Sequence, residues 1–172
     1  SLALQKNTSG KYNTANGRAA LAYNTTGKGN TASGYSALQN NAKTNYNAAF
    51  GAYALHTNWG KENTAIGAYS LQLNKNGNWN VATGYHALWK NEWGSGNSAT
   101  GAAALRDNHR GKHNTAIGFR AGGLNKNGHR NVFIGYEAGY LREFKYKEYV
   151  CLFEDVRRDI RLRHRSTSTF SV

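Results

Sequence analysis

The feature that most constrains the fold of this chain is a sequence repeat with a period of 17 residues. Each repeat opens with an asparagine and has a glycine four residues later, and one interval, from Asn47 to Asn63, is 16 residues long. A fixed period of this length is typical of stacked similar units, not of one globular core. The repeat region, residues 1–140, is the first predicted domain. Its opening asparagines are Asn13, Asn30, Asn47, Asn63, Asn80, Asn97, Asn114 and Asn131.

The composition fits such a stack better than it fits a globule. Only 39% of the residues are hydrophobic, and many of these are alanine, so an ordinary globule would bury little large apolar surface. A solenoid manages with less, because each unit buries its inner face against the next. Proline is absent, which suits strands that are paired on both sides and need every backbone N–H.

The first five positions of each unit predict a short strand. They read Asn, then Thr, Val, Ser or Ala, then Ala, then a variable residue, then Gly, with few departures. Alternation along a strand sends positions 1, 3 and 5 to one face and positions 2 and 4 to the other. The small alanine and glycine predict a face that another backbone approaches closely.

Positions 8 and 9 predict the core. They read Ala-Leu in five units, and a leucine that stacks on itself in successive rungs is a natural filling for a narrow solenoid. A short amphipathic helix around this pair is the alternative, but about six residues are too few for a stable helix.

Position 12 predicts a turn. It is asparagine in all seven units that reach it, and glycine usually follows three residues later. Both residue types tolerate left-handed backbone conformations, and stacked asparagines can also form amide ladders between rungs. Each unit is therefore predicted to hold two short strands, a tight bend and a longer turn. The repeat residues with this structural role include Asn63, Ala65, Gly67, Leu71, Asn74, Asn80, Gly84, Leu88 and Asn91.

The residues predict no catalytic, cofactor or metal site. The few acidic residues of the repeat region form no pair at the spacing of a glycosidase dyad. His109 and His113 lie in a turn without a third ligand, and Cys151 has apolar neighbours that favour a buried structural thiol. No stretch approaches the roughly 18 apolar residues of a membrane span. We therefore expect no enzymatic activity.

The surface is predicted to be basic and to expose aromatic rings. The formal net charge of +13 favours anionic partners, and charges scattered over variable positions also keep a rod soluble. Rings beside cations suit anionic glycans through stacking and hydrogen bonds. Alternatively, the rings pad the rod or fill seams between subunits. The candidate contacts are Trp59, Trp79, Trp89, Trp93, Lys61, Lys90 and Arg106.

The repeat stops after residue 140, and residues 141–172 form the second predicted region. Their apolar residues follow both helical and strand spacing, which predicts a mixed element that caps the last rung. Arg157, Arg158 and Arg161 are candidates for docking to a neighbouring subunit. They also suit phosphates, but no nucleic-acid motif accompanies them and Asp159 interrupts the cluster, so a nucleic-acid partner is not expected.

Asn-Thr-Ala-Ile-Gly at 63–67 and 114–118 resembles the head repeat of trimeric autotransporter adhesins, the YadA-like head. The 17-residue form, with its Ala-Leu pair and asparagine turn, also resembles repeats of phage and other viral tail fibres. The resemblance implies an all-β fold: a left-handed parallel β-roll of about eight rungs, assembled as a parallel homotrimer. It also implies that protomers or rungs meet on the small Ala/Gly face.

This resemblance leads to an expected function. We expect a structural fibre or spike protein of a virus or phage, in which the β-roll is a rigid spacer and attachment module. Its partners would be other fibre subunits and a cell-surface receptor, and its place the virion or an extracellular appendage. A bacterial adhesin head that binds host matrix or glycan is the alternative. A polysaccharide-active solenoid enzyme is a third hypothesis.

Overall fold

The computed structural model describes residues 2–140 and 150–152, and every regular element in these residues is a β-strand. In chain order the strands are β1 (Thr14–Asn16), β2 (Thr31–Ser33), β3 (Ala48–Phe50), β4 (Thr57–Asn58), β5 (Thr64–Ile66), β6 (Leu73–Asn74), β7 (Val81–Thr83), β8 (Ser98–Thr100), β9 (Thr115–Ile117), β10 (Val132–Ile134) and β11 (Val150–Leu152). All except β4 and β6 form one sheet of nine strands, which are hydrogen-bonded in parallel from β1 to β11. The predicted β-solenoid is confirmed.

The register of this sheet follows the repeat. Each position pairs with the same position of the next unit, so that Ala82 lies opposite Ala99. The register also holds across the 16-residue unit, where Ala49 lies opposite Ala65. Like residues therefore stack on like residues along the rod.

The core is the predicted stack of leucine and alanine. The alanines at position 3 from Ala32 to Ala116 and the leucines at position 9 from Leu21 to Leu105 are fully buried, at 0% exposure. Near the end of the stack, Gly122 replaces the leucine and Phe133, in the next unit, replaces the alanine. A Cβ placed on Gly122 would lie 2.5 Å from Phe133 Cδ2. The phenylalanine ring therefore fills the space that the missing leucine leaves.

The Ala/Gly face is a place where rungs meet, which is one of the two alternatives expected for it. Its alanines from Ala32 to Ala116 are fully buried inside one chain. The contact between rungs is confirmed at Gly84, where a Cβ would lie 2.6 Å from the carbonyl oxygen of Gly101. Gly84 also has a φ of 130°, which side-chain-bearing residues rarely adopt.

Two asparagine ladders run beside the core, as predicted. At position 12, Asn91 Nδ2 donates to Asn74 Oδ1 at 2.9 Å and to the Gly94 carbonyl at 2.8 Å. At position 1, Asn97 Nδ2 donates to Asn80 Oδ1 at 3.1 Å. No buried side-chain nitrogen or oxygen in the described residues lacks a hydrogen-bond partner. The ladders let a narrow solenoid bury amides without leaving them unsatisfied.

The reason given above for the turn glycine is wrong, although the turn is in the predicted place. Left-handed φ values occur at positions 5, 7, 9 and 17 and include the core leucines, with φ 50° at Leu88. They do not include the asparagines of position 12 or the glycines of position 15. A Cβ on Gly94 would instead collide with Asn91 Oδ1 and with the Gly111 carbonyl. Glycine is needed there because neighbouring rungs approach closely.

A second strand in every unit was also predicted, and this is wrong for most units. In the described residues only β4 and β6 pair on that side of the rod, extended by a bridge between Asn40 and Thr57. This region adjoins the short unit. In the preceding rung Thr44 replaces the turn glycine, and its hydroxyl accepts from Asn47 Nδ2 and Asn58 Nδ2 at 3.3 Å each. The Thr44 side chain, in place of a glycine, and the one-residue deletion of the unit that starts at Asn47 thus lie in neighbouring rungs.

The tail adds the ninth strand of the sheet. Val150 and Leu152 in β11 lie opposite Val132 and Ile134 in β10, although the tail lacks the repeat. This pairing covers the edge of the last repeat strand, which is the role predicted for the tail. The rest of 141–172, with Arg157, Arg158 and Arg161, lies outside the described residues, as does the Cys151 side chain.

Candidate functional site

The surface of the rod is organised in columns, because a residue has its equivalents directly above and below it. Three surfaces follow from this stacking. The sheet face consists of positions 2 and 4 of the strands. The aromatic strip is formed by rings at positions 6, 7 and 10 between Tyr35 and Trp89. The turn groove lies between positions 14 and 16 of four successive units.

The sheet face is uncharged and combines exposed apolar side chains with Thr, Ser and Asn. Its largest side chains remain substantially exposed, at 42% for Phe50, 44% for Ile66 and 47% for Ile117. None of the residues at positions 2 and 4 of β1 to β10 is charged, on a chain with a net charge of +13. Sequence reasoning identified this face as the opposite of the alanine face but assigned it no role.

The aromatic strip brings together three of the predicted glycan contacts, Trp89, Lys90 and Arg106. His86 stacks on the Trp89 ring at 5.0 Å between centroids, and Lys90 Nζ lies 4.6 Å from the centroid of that ring. Trp89 Nε1 also donates to Gln72 Oε1. The indole is thus engaged within the chain, which fits the alternative that these rings pad the rod.

The two cations of this cluster are also engaged. Arg106 forms an ion pair with Asp107 at 2.6 Å, and Lys90 Nζ lies 3.9 Å from the same carboxylate. The hydrogen bond with Asp107 raises the pKa of Arg106 above its usual range. Burial, together with the charge of Arg106, lowers the pKa of His86. Asp107 therefore offsets part of the positive charge of this cluster.

Trp59, Trp79 and Lys61 lie nearer the turns. Trp59 is 58% exposed. Trp79 is similarly exposed, and its Nε1 donates to Glu62 Oε2 at 2.8 Å. The backbone N–H of Lys61 donates to Asn78 Oδ1 at 2.8 Å. The predicted glycan contacts therefore do not form one site.

The turn groove is the cavity with the chemistry of a binding site. It has a volume of about 640 Å³, and Trp93 on its wall is 45% exposed. The glycines of position 15 are buried between its two walls. No carboxylate lines it, and nearby Glu92 is paired with Lys75 at 3.1 Å. The residues that line it are Asn76, Asn78, Trp93, Ser95, Arg110, Lys112 and His129.

His129 contributes an acceptor to the groove. Its Nδ1 accepts from the Lys112 backbone N–H at 3.0 Å. Burial, followed by the charges of Lys112, His113 and Arg130, lowers the pKa of His129 below the ordinary 6.5. The neutral ring that accepts this bond is therefore favoured at neutral pH.

Only Trp93 among the groove residues was a predicted contact. Arg110, Lys112 and His129 were missed, although the repeat carries the signal. Arg110 follows Trp93 by one period, and Lys112 and His129 follow Ser95 by one and two periods. Treating the variable positions as columns would have brought these side chains together.

The described residues contain no cluster suited to metal catalysis. No group of three His, Cys, Asp or Glu side chains among them could hold a metal ion. Within the same residues there is no helix of the length and hydrophobicity needed to cross a membrane.

Comparisons of the chain with protein-family models, with curated proteins and with solved structures found no match. The function must therefore be argued from the chemistry of the three surfaces.

Proposed function

We propose that this chain is a structural fibre or spike protein of a virus or phage, in which the β-solenoid is a rigid spacer and attachment module. The observation that carries the proposal is the division of the rod into a repeated interior and an uncharged sheet face that exposes large apolar side chains. The recurring interior residues are committed to packing and hydrogen bonds, so they leave no side chains for chemistry. The sheet face runs along the rod and supplies a surface for assembly.

Assembly through the sheet face solves an electrostatic problem. Copies of a chain with a charge of +13 repel one another, and this repulsion is smallest where no cation lies in the interface. The exposed side chains Phe50, Ile66 and Ile117 would become buried there, and apolar burial is the main driving force of such association. We propose a parallel homotrimer that joins along this face, with the tail docking to further fibre subunits.

The turn groove argues against the polysaccharide-active enzyme. Glycosidases use two carboxylates at a fixed separation, and no Asp or Glu lines the groove. A groove of cations, amides and one exposed indole fits binding without turnover. An extracellular or virion surface is the corresponding location for such an attachment module.

The mass in solution tests the proposed assembly. Three times the chain mass of 18.9 kDa is expected by light scattering. Ile66→Asp places a charge in the middle of the sheet face and should give single chains that keep their strand circular dichroism. Trp59→Asp places the same charge outside that face and should leave the trimer intact. A natural chain that runs at the mass of one chain would exclude the trimer.

A further inference from the structure

We propose that the turn groove binds an acidic saccharide, with one sulfate or carboxylate of the sugar held between the Ser95 backbone N–H and Lys112. This inference names the ligand class of the attachment module and to that extent rests on the proposed function. It depends on a break in a series of hydrogen bonds that link the residues at position 16 from one rung to the next.

Four rungs follow one rule in this column. The backbone N–H at position 16 donates to the side chain at position 16 of the next unit. Lys61 N donates to Asn78 Oδ1 at 2.8 Å, and Asn78 N donates to Ser95 Oγ at 3.1 Å. Lys112 N donates to His129 Nδ1 at 3.0 Å, and Lys28 N donates to Asn45 Oδ1 at 2.8 Å. In these rungs a side-chain acceptor thus satisfies a backbone N–H that lies outside the strands.

The rule fails between Ser95 and Lys112. The next residue of the column is Lys112, whose ammonium group has donors only. Within the described residues Ser95 accepts bonds at its carbonyl and hydroxyl, but its N–H has no acceptor. The Ser95 N–H donor is therefore followed in the next rung by the Lys112 ammonium group, although four other rungs have an acceptor there. An anionic oxygen between them would accept from both and restore the pattern.

The surroundings of Lys112 distinguish this place from two other interruptions of the same kind. In this column Lys28 follows Lys11, and Lys61 follows Asn45. The N–H groups of Lys11 and Asn45 also have no acceptor among the described residues, but none of these four residues lines the groove. Around Lys112, Arg110 adds a second cation and Trp93 an exposed ring within one cavity. Lysine alone would attract any anion, whereas these neighbours select a larger one.

The neighbours favour a saccharide as the carrier of the anion. Asn76 and Asn78 present amide groups in the same cavity, and amides hydrogen-bond sugar hydroxyls. Trp93 offers a ring face of the kind on which sugars stack. A single-stranded nucleic acid would be held by a series of rings for successive bases and by many phosphate contacts. The groove has one indole and two permanently charged cations, which fits one or two acidic groups on a sugar chain.

Calorimetric titration of the full chain with a heparin-derived sulfated hexasaccharide tests the site. The neutral probe is maltohexaose, and inorganic sulfate reports the anion alone. We expect binding of the sulfated sugar, weaker binding of sulfate and none of maltohexaose. Lys112→Asn supplies the acceptor that Ser95 lacks and removes the charge, so it should weaken sugar binding at least about tenfold. Because it repairs the column, its melting temperature should not fall.

Two variants control for charge and for sugar contact. Lys11→Asn makes the same change at position 16 of a distant unit and should alter the affinity by less than about twofold. Lys112→Arg keeps a cation and should retain binding. Trp93→Ala should weaken binding of the hexasaccharide while leaving that of sulfate unchanged, because only the sugar ring contacts the indole.

Several results would overturn the inference. These are equal binding of the sulfated sugar by the natural chain and Lys112→Asn, equal binding of maltohexaose, or no binding at all. Tighter binding of a single-stranded oligonucleotide than of the hexasaccharide would reassign the groove to nucleic acid. A trimer that fails to bind would refute the saccharide site alone. Single chains that bind would refute the proposed assembly and leave the site standing.

Discussion

The inside and the outside of this rod obey different rules, although both come from the same repeat. Inside, each position holds nearly the same residue in every rung: leucine at position 9, alanine at position 3 and asparagine at positions 1 and 12. Outside, positions 14 and 16 change from rung to rung, as in Trp93 and Arg110 or Ser95 and Lys112. The interior therefore sets the architecture, and the recognition that we propose lies in the columns that vary.

Leu88→Asp is expected to break the interior most severely. Leu88 is fully buried, and an unpaired charge at such a site costs several kcal/mol. The rod should lose its strand signal in circular dichroism as one cooperative unit. Ile66→Asp, the same kind of change on the sheet face, should keep that signal. If the two variants melt alike, the division between inside and outside is wrong.

Asn91→Ala is expected to have the next largest effect. It removes two bonds that Nδ2 donates, to Asn74 and Gly94, and one that Oδ1 accepts from Asn108 Nδ2 at 2.8 Å. Interrupting a buried ladder should lower the free energy of unfolding by about 2–4 kcal/mol, measured by denaturant titration. Asn76→Ala removes an exposed amide and should change it by less than about 0.5 kcal/mol. Equal losses would show that the ladder contributes no more than surface amides.

Ala103→Gly is expected to have the smallest effect, and it should be stabilising. Ala103 has a φ of 56°, which costs an L-residue roughly 1–2 kcal/mol and glycine almost nothing. After the entropy that glycine adds to the unfolded chain, the free energy of unfolding should rise by up to about 1 kcal/mol. Ala102→Gly, next to it and without a left-handed φ, should lower stability by about 0.5–1 kcal/mol. The same sign for both variants would argue against strain at position 7.

The accuracy of the sequence predictions depended on whether a feature lies within a column or between columns. Leu88 stacked on Leu71, and Asn91 bonded to Asn74, are relations between equivalents one period apart, and the repeat displays them directly. Gly122 replaces a leucine at position 9, and Phe133, at position 3 of the next unit, fills the space that this leaves. That relation depends on how the rung folds back on itself, which the period does not describe.

The candidate site was predicted less well for the same reason. Trp93 was recognised as an exposed ring near a turn, but its partners Arg110 and Lys112 belong to the next unit. Trp89, Lys90 and Arg106 were predicted as glycan contacts from their residue types. That Asp107 and His86 engage them follows from rotamers and distances that only packing determines.

The sequence by itself determined the solenoid, its period, its leucine core and its asparagine ladders, because stacking places identical residues at one repeat distance. Only the tertiary structure decided that the alanine face is closed inside one chain, and that leucines adopt left-handed φ values. It also decided that Ser95 and Lys112 interrupt a column of hydrogen bonds. These features depend on the curvature of the chain within a rung, which sets the faces and donors that remain open to solvent.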